Sequence, residues 1–123
     1  AKSAVRPQDI AGQTYIGVSA TRAPTLRAAI EDYFKRTGIG LKAAHQAENL
    51  AMAISLVAST GGISLLPLYA QNLLPKTIVA RPLQGVPPMV DLVIGYNEAN
   101  GSPLLKFLLS KVDEIKFQVA KKM

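Results

Sequence analysis

The 123 residues include no cysteine and no tryptophan, a single histidine, and eight acidic side chains against fourteen basic ones. Without cysteine there is no disulfide, no thiolate nucleophile and no zinc–thiolate site, a condition compatible with any compartment. The lone histidine, His45, falls inside an expected strand with no second histidine or cysteine to complete a metal set. A core or surface role therefore outweighs metal binding or general-base chemistry. The carboxylates Asp9, Glu31, Asp32, Glu48, Asp91, Glu98, Asp113 and Glu114 offer no acid/base couple, because the adjacent pairs occupy outward helix positions. No serine lies in a G-x-S-x-G elbow, and Gly61-Gly62 follows a helix and precedes a strand, unlike a phosphate-binding glycine fingerprint. The expectation is a protein that is not an enzyme and needs no cofactor and no metal.

Long hydrophobic runs are also missing. Hydrophobic residues reach 49%, yet no uninterrupted stretch approaches the roughly 18–20 residues that cross a bilayer. The nearest, over 50–66, is broken by Ser55, Ser59, Thr60, Gly61, Gly62 and Ser64. It reads as the core of a soluble domain with no membrane partner. A chain of this length fits one domain burying roughly 65% of its unfolded surface. The net charge of +6 raises nucleic acid as a partner, but its distribution argues otherwise. Lys2, Arg6, Arg22, Arg27, Lys35, Arg36, Lys42, Lys76 and Arg81 are scattered, and Lys106, Lys111, Lys116, Lys121 and Lys122 are spaced along the last helix. Tyr33, Phe34 and Tyr96 take core-like positions instead of a stacking platform, so solvated helix faces are expected. The start, Ala1-Lys2-Ser3-Ala4-Val5-Arg6, has neither a methionine nor a signal-peptide pattern, as expected of an excised or processed piece.

What is present is an alternation of strands and helices. A strand is expected over 14–19, then a helix over 25–37 whose Leu26, Ala29, Ile30, Tyr33 and Phe34 line one face. Either Thr25 caps this helix or Pro24 opens it, and Gly38 stops it. A strand over 41–46 leads to Asn49, a good N-cap for a helix in which Leu50, Ala53, Ile54, Val57 and Ala58 keep the 3.6-residue period. That helix has so little polar surface that it is expected to be covered on more than one side. Gly61 suits its left-handed end, Gly62 a tight turn, and 63–66 a short apolar strand closed by Pro67. A short helical piece near 69–74 and a strand near 77–83 follow. Gln84-Gly85-Val86-Pro87-Pro88 is the strongest boundary signal. Beyond it Val90, Leu92, Ile94 and Tyr96 alternate as a strand, 97–101 is a polar turn, and Ser102 caps a long helix opened by Pro103. Leu105, Leu108, Val112, Ile115 and Val119 form its apolar stripe.

The order of helix, glycine turn and proline-closed strand over 49–67 resembles the regulatory half of LysR-type transcriptional regulators. Pro7-Gln8-Asp9-Ile10-Ala11-Gly12 with Thr14-Tyr15-Ile16-Gly17-Val18, then Arg81-Pro82-Leu83, the strand over 90–96 and the Ser102-Pro103 helix extend the likeness over nearly all of the chain. The resemblance implies an α/β fold, a β/α sheet of the type II periplasmic-binding-protein kind, forming mostly one lobe of a two-lobe domain. On that basis 1–12 is a lead-in, 13–84 the second regulatory subdomain, 85–89 a hinge, and 90–123 a strand and helix returning to the first subdomain. The family's helix-turn-helix, linker helix and the first part of its first subdomain have no counterpart here. The implied partners are a small organic-acid effector, a homo-oligomer, and DNA only through the N-terminal domain; the implied location is cytoplasmic.

In parallel β/α units, ligands bind outside the carboxyl ends of the strands. The loops 19–24 and 46–49 fall there, each feeding a helix N-terminus that favours an anion. Ser19, Thr21 and Arg22 make one rim suited to a carboxylate. The competing reading is that these residues only cap helices and that Arg22 is solvated. By the resemblance the family's effector cleft has one wall at these loops, where Gln46 and Asn49 would add directed hydrogen bonds. An alternative is a fragment of a periplasmic solute-binding protein, and a third an enzyme subdomain whose catalytic groups lie elsewhere.

Overall fold

A computed structural model describes residues 3–90 and 94–122. The chain divides into two compact units, Ala1–Val90 and Asp91–Met123. The first contains helix α1 (Pro7–Ile10), strand β1 (Ile16–Val18), helix α2 (Pro24–Thr37), strand β2 (His45–Ala47), helix α3 (Leu50–Thr60) and a 3₁₀ helix, Leu68–Leu73. The second contains α4 (Pro103–Ser110) and α5 (Val112–Lys122).

The strands β1 and β2 are parallel, in the register Ile16↔His45, Gly17↔Gln46 and Val18↔Ala47. The opposite edge of β1 meets the chain again at Ile63, whose N–H donates to the Thr14 carbonyl and whose carbonyl accepts the Ile16 N–H, both at 2.8 Å. The expected strand over 63–66 goes no further than this single bridge. Continued pairing would give the Ile16 carbonyl the Leu65 N–H, but that carbonyl accepts the Ser64 hydroxyl at 2.8 Å. The next carbonyl along this edge, Val18, accepts Arg27 Nη1 at 2.9 Å. Two side chains thus complete what a third strand would have supplied. The strand expected over 77–83 is likewise one bridge, Val5↔Leu83, beside Pro82, which has no N–H to extend the ladder.

α2 buries the face that its periodicity marks: Ile30, Tyr33 and Phe34 join Ile10, Tyr15 and Val18 in the main core. The Tyr15 and Phe34 rings meet edge to face with centroids 5.3 Å apart, the arrangement that ring quadrupoles favour. Pro24 is the first residue of α2 and Ala23 its N-cap, so Thr25 lies inside the helix and does not cap it. Gly38, at φ 72°, ends it in the left-handed conformation. α3 packs through Ala53 against Ile16 and Ala47. It is half-covered only: Met52, Ser55 and Ala58 are exposed, which corrects the expectation of a helix enclosed on several sides. Small side chains let one face fit closely against β1 and β2, and no second layer of described chain covers the rest.

In the second unit, 97–101 forms the expected turn, with Asn97 Oδ1 accepting the Ala99 N–H and Asn100 Oδ1 the Ser102 N–H, each at 2.9 Å. The Ser102 side chain makes no cap bond. The long helix breaks at Lys111, which sits at φ −103°, ψ 9°. Just before it the Ser110 hydroxyl bonds back to the Phe107 carbonyl at 2.6 Å, a local competitor that bends helices. Of the strand expected over 90–96, residues 91–93 lie outside the described residues and 94–96 have no strand pairing. Tyr96 is exposed, contrary to the core position expected for it. Among the described residues no helix is long and apolar enough to cross a membrane.

Candidate functional site

The parallel register of β1 and β2 brings their carboxyl ends side by side, and each strand feeds a helix directly. The Ser19 N–H donates to the Ala47 carbonyl at 2.9 Å, closing the gap between the two loops. α2 begins without a side-chain cap, so the N–H groups of its first turn face outward with the helix's partial positive charge. α3 begins at Asn49, whose Oδ1 accepts the Met52 N–H at 2.8 Å.

Each sequence-derived site residue has a defined place. Ser19 is 4% exposed, and its Oγ accepts the Arg22 N–H at 3.3 Å, so this hydroxyl closes its own loop more than it faces solvent. Thr21 is exposed on the turn between β1 and α2. Arg22 is exposed, and its Nε lies 3.6 Å from Glu48 Oε2. Gln46 lies within β2, not in the loop after it, because the strand runs later than its apolar pattern indicates; its side chain is exposed. Asn49 is exposed and caps α3. The fold therefore gathers Ser19, Thr21, Arg22 and Asn49 at adjoining loops, with Gln46 a little inside the sheet. Of these residues only Asn49 caps a helix, while Ser19 closes its own loop and α2 has no side-chain cap.

Two residues matter here that sequence reading did not single out. Glu48 supplies a carboxylate that pairs with Arg22 across the two loops; its position just before an N-cap was the available signal. Arg27 was assigned to the solvated face of α2, yet it holds the last carbonyl of β1 and pairs with Glu31 at 2.6 Å. Beneath it, burial pushes the Tyr15 phenol up to about 12, opposed by the charge of Arg27 and assisted by that of Glu31. Among the described residues no cluster of His, Asp or Glu is placed to hold a metal ion.

The family model for the LysR substrate binding domain matches residues 1–114. The chain belongs to the LysR substrate binding domain family. Such domains are ligand-sensing regulatory modules with a periplasmic-binding-protein-like α/β fold, and the small parallel sheet with its flanking helices is consistent with that fold. No curated protein matches the chain, and no solved structure does.

Proposed function

We propose that the chain is the effector-sensing region of a bacterial LysR-type regulator, working in the cytoplasm as part of a homo-oligomer. Residues 13–84 form its second regulatory lobe, 85–89 a hinge, and 90–123 the return to the first lobe. A small organic acid binds between the lobes against the loops after β1 and β2, where Thr21, Arg22, Gln46 and Asn49 contact it and Ser19 shapes the loop. Binding favours one arrangement of the lobes over another, and that preference changes how N-terminal helix-turn-helix domains engage DNA. The observation carrying this reading is the family match over 1–114. The juxtaposition of two helix N-termini with an arginine supports the acidic character of the effector.

A thermal-shift screen of organic acids against the regulator tests the reading, since a ligand of the native state raises its stability by mass action. A hit is then followed by calorimetry. Thr21→Val should weaken binding by about 1–3 kcal/mol, the cost of a hydrogen bond to a charged group. Glu48→Gln should strengthen it several-fold by releasing Arg22. Unchanged affinity in both variants would remove these loops from the site.

A further inference from the structure

Met52 is the third residue of α3, a position from which Glu or Gln commonly reaches back to a main-chain N–H at the helix start. Here a thioether reaches back instead. Met52 Sδ accepts the Glu48 N–H at 3.5 Å, while Asn49 Oδ1 accepts the Met52 N–H at 2.8 Å. Sulfur is a weak acceptor, so Met52 serves the turn less well than Gln would, and what it adds is polarisable apolar surface. That surface is exposed. Glu48 is held twice, its main chain by Met52 and its side chain by Arg22, so the thioether belongs to the loop that carries the carboxylate of the Arg22 pair. Tyr69 is exposed on the next loop. It follows the segment that meets β1 in parallel at Ile63, and Leu66 of that segment packs with Ile16, Ala47 and Ala53. The chain therefore passes through Pro67 into its 3₁₀ helix at the carboxyl end of the sheet. Three successive loops leave the sheet at this end, bringing Arg22, then Glu48 and Met52, then Tyr69.

Several acceptors here are already engaged: Ser19 Oγ by the Arg22 N–H, Asn49 Oδ1 by the Met52 N–H, and the Glu48 carboxylate by Arg22. A ligand body rich in hydroxyls would have to break such bonds or lose its own hydration. An aromatic ring instead covers exposed thioether and phenol surface, and both sulfur–ring and ring–ring contacts are favourable. Arg22 is the only cation of 19–24, 46–49 and 67–69, which suits one carboxylate better than two. We infer that the effector site proposed above selects aromatic monocarboxylates, with Arg22 taking the acid and Met52 and Tyr69 flanking the ring. This selectivity rests on the loops being the effector site, and it adds the chemistry of the rest of the ligand.

The test is a titration of the 123-residue chain, its amides labelled with ¹⁵N and its methionine methyls with ¹³C, with benzoate and separately with glycolate. Three methyl resonances are expected, from Met52, Met89 and Met123, and Met52→Leu identifies the first. Benzoate should shift the Met52 methyl and the Thr21 amide saturably, leave Met89 and Met123 in place, and bind at least threefold more tightly than glycolate. Met52→Gln retains an acceptor for the Glu48 N–H, so it should keep the melting temperature and the glycolate affinity. It should weaken benzoate about three- to tenfold, the range of a lost sulfur–ring contact. Met52→Leu, which keeps the apolar surface, should hold most of the preference for benzoate. Tyr69→Ser carries the same comparison of the two acids if Met52→Gln fails to fold. A saturable Thr21 shift with the Met52 methyl unmoved would overturn the aromatic selectivity and leave the loops as the site. Equal losses for both acids in Met52→Gln would do the same. No saturable shift at Thr21 with either acid would remove the site itself, and the selectivity with it.

Discussion

Replacing Gly62 with alanine tests how the third segment is held against β1. A Cβ at this position would lie 2.5 Å from the Thr14 carbonyl oxygen and 3.0 Å from Thr60 Oγ1, where ordinary contact begins at 3.4 Å. The Thr14 oxygen cannot move aside freely, because it accepts the Ile63 N–H at 2.8 Å, and Ile63 in turn accepts from Ile16. Gly62 is thus needed for close approach of two backbones and not for a left-handed turn. Overpacking of this kind costs about 1–3 kcal/mol, and distortion of the two flanking hydrogen bonds adds about 1 kcal/mol each when they are lost. The stiffer unfolded chain returns about 0.4–1 kcal/mol. Gly62→Ala should therefore destabilise by about 2–5 kcal/mol, on the order of 10 °C in melting temperature for a chain of this length. Urea unfolding monitored by circular dichroism measures it directly, with the slope m checked for constancy. Two controls separate causes. Gly61→Ala, at φ +68° in open space, should cost about 1–2 kcal/mol through conformation alone. Gly40→Ala, with nothing within 4 Å and no positive φ, should be neutral or slightly stabilising. Gly62→Ala within 0.5 kcal/mol of wild type would refute the argument, because the resolution of such measurements is about that fine.

Three further outcomes follow from the same geometry. Asn49→Ala should lower stability by about 1 kcal/mol through loss of the α3 cap, whereas Asn49→Asp should keep it; calorimetric or chemical unfolding compares them. Arg27→Met should cost about 1–3 kcal/mol by leaving the Val18 carbonyl without its donor, read as a lower urea midpoint. The Tyr15 phenol is raised from 10.0 to about 12, so the unfolded chain loses its proton first. Stability from this group is complete below pH 10 and declines by about 2 kcal/mol as pH rises through 12. Tyr15→Phe should flatten that decline, and tyrosinate absorbance should show the late titration.

The helices were the legible part of this fold because their signals are local. The stripe of Ile30, Tyr33 and Phe34, the cap at Asn49 and the left-handed glycines Gly38 and Gly61 all act within a turn or two of chain. Strand extent was not legible, since pairing depends on distant groups. The Ser64 hydroxyl that ends pairing along β1 acts on a carbonyl 48 residues earlier in the chain. The break at Lys111 had a local cause, Ser110, but an unbroken apolar stripe outweighed it. The adjoining helix N-termini were legible because parallel β/α order places successive loops at one end of a sheet. The Arg22–Glu48 pair was not, because loop-to-loop charge pairing is set by register and not by spacing.

That pair also bears on how the proposed effector would be chosen. With side chains 72% and 56% exposed, it is worth at most about 1 kcal/mol. It cannot exclude an anion, yet a ligand must displace or share it to engage Arg22. A neutral molecule gains nothing from doing so. At the proposed site a carboxylate would replace Glu48 as the partner of Arg22 and would also meet the first-turn N–H groups of α2, where a negative charge is worth about 0.3–1 kcal/mol. The released Glu48 carboxylate remains beside the N-terminus of α3, so the same dipole effect lowers the cost of parting it from Arg22. If the proposed effector binds here, the two loops would thereby favour acids over neutral isosteres by difference, with the internal carboxylate setting the threshold that it has to exceed.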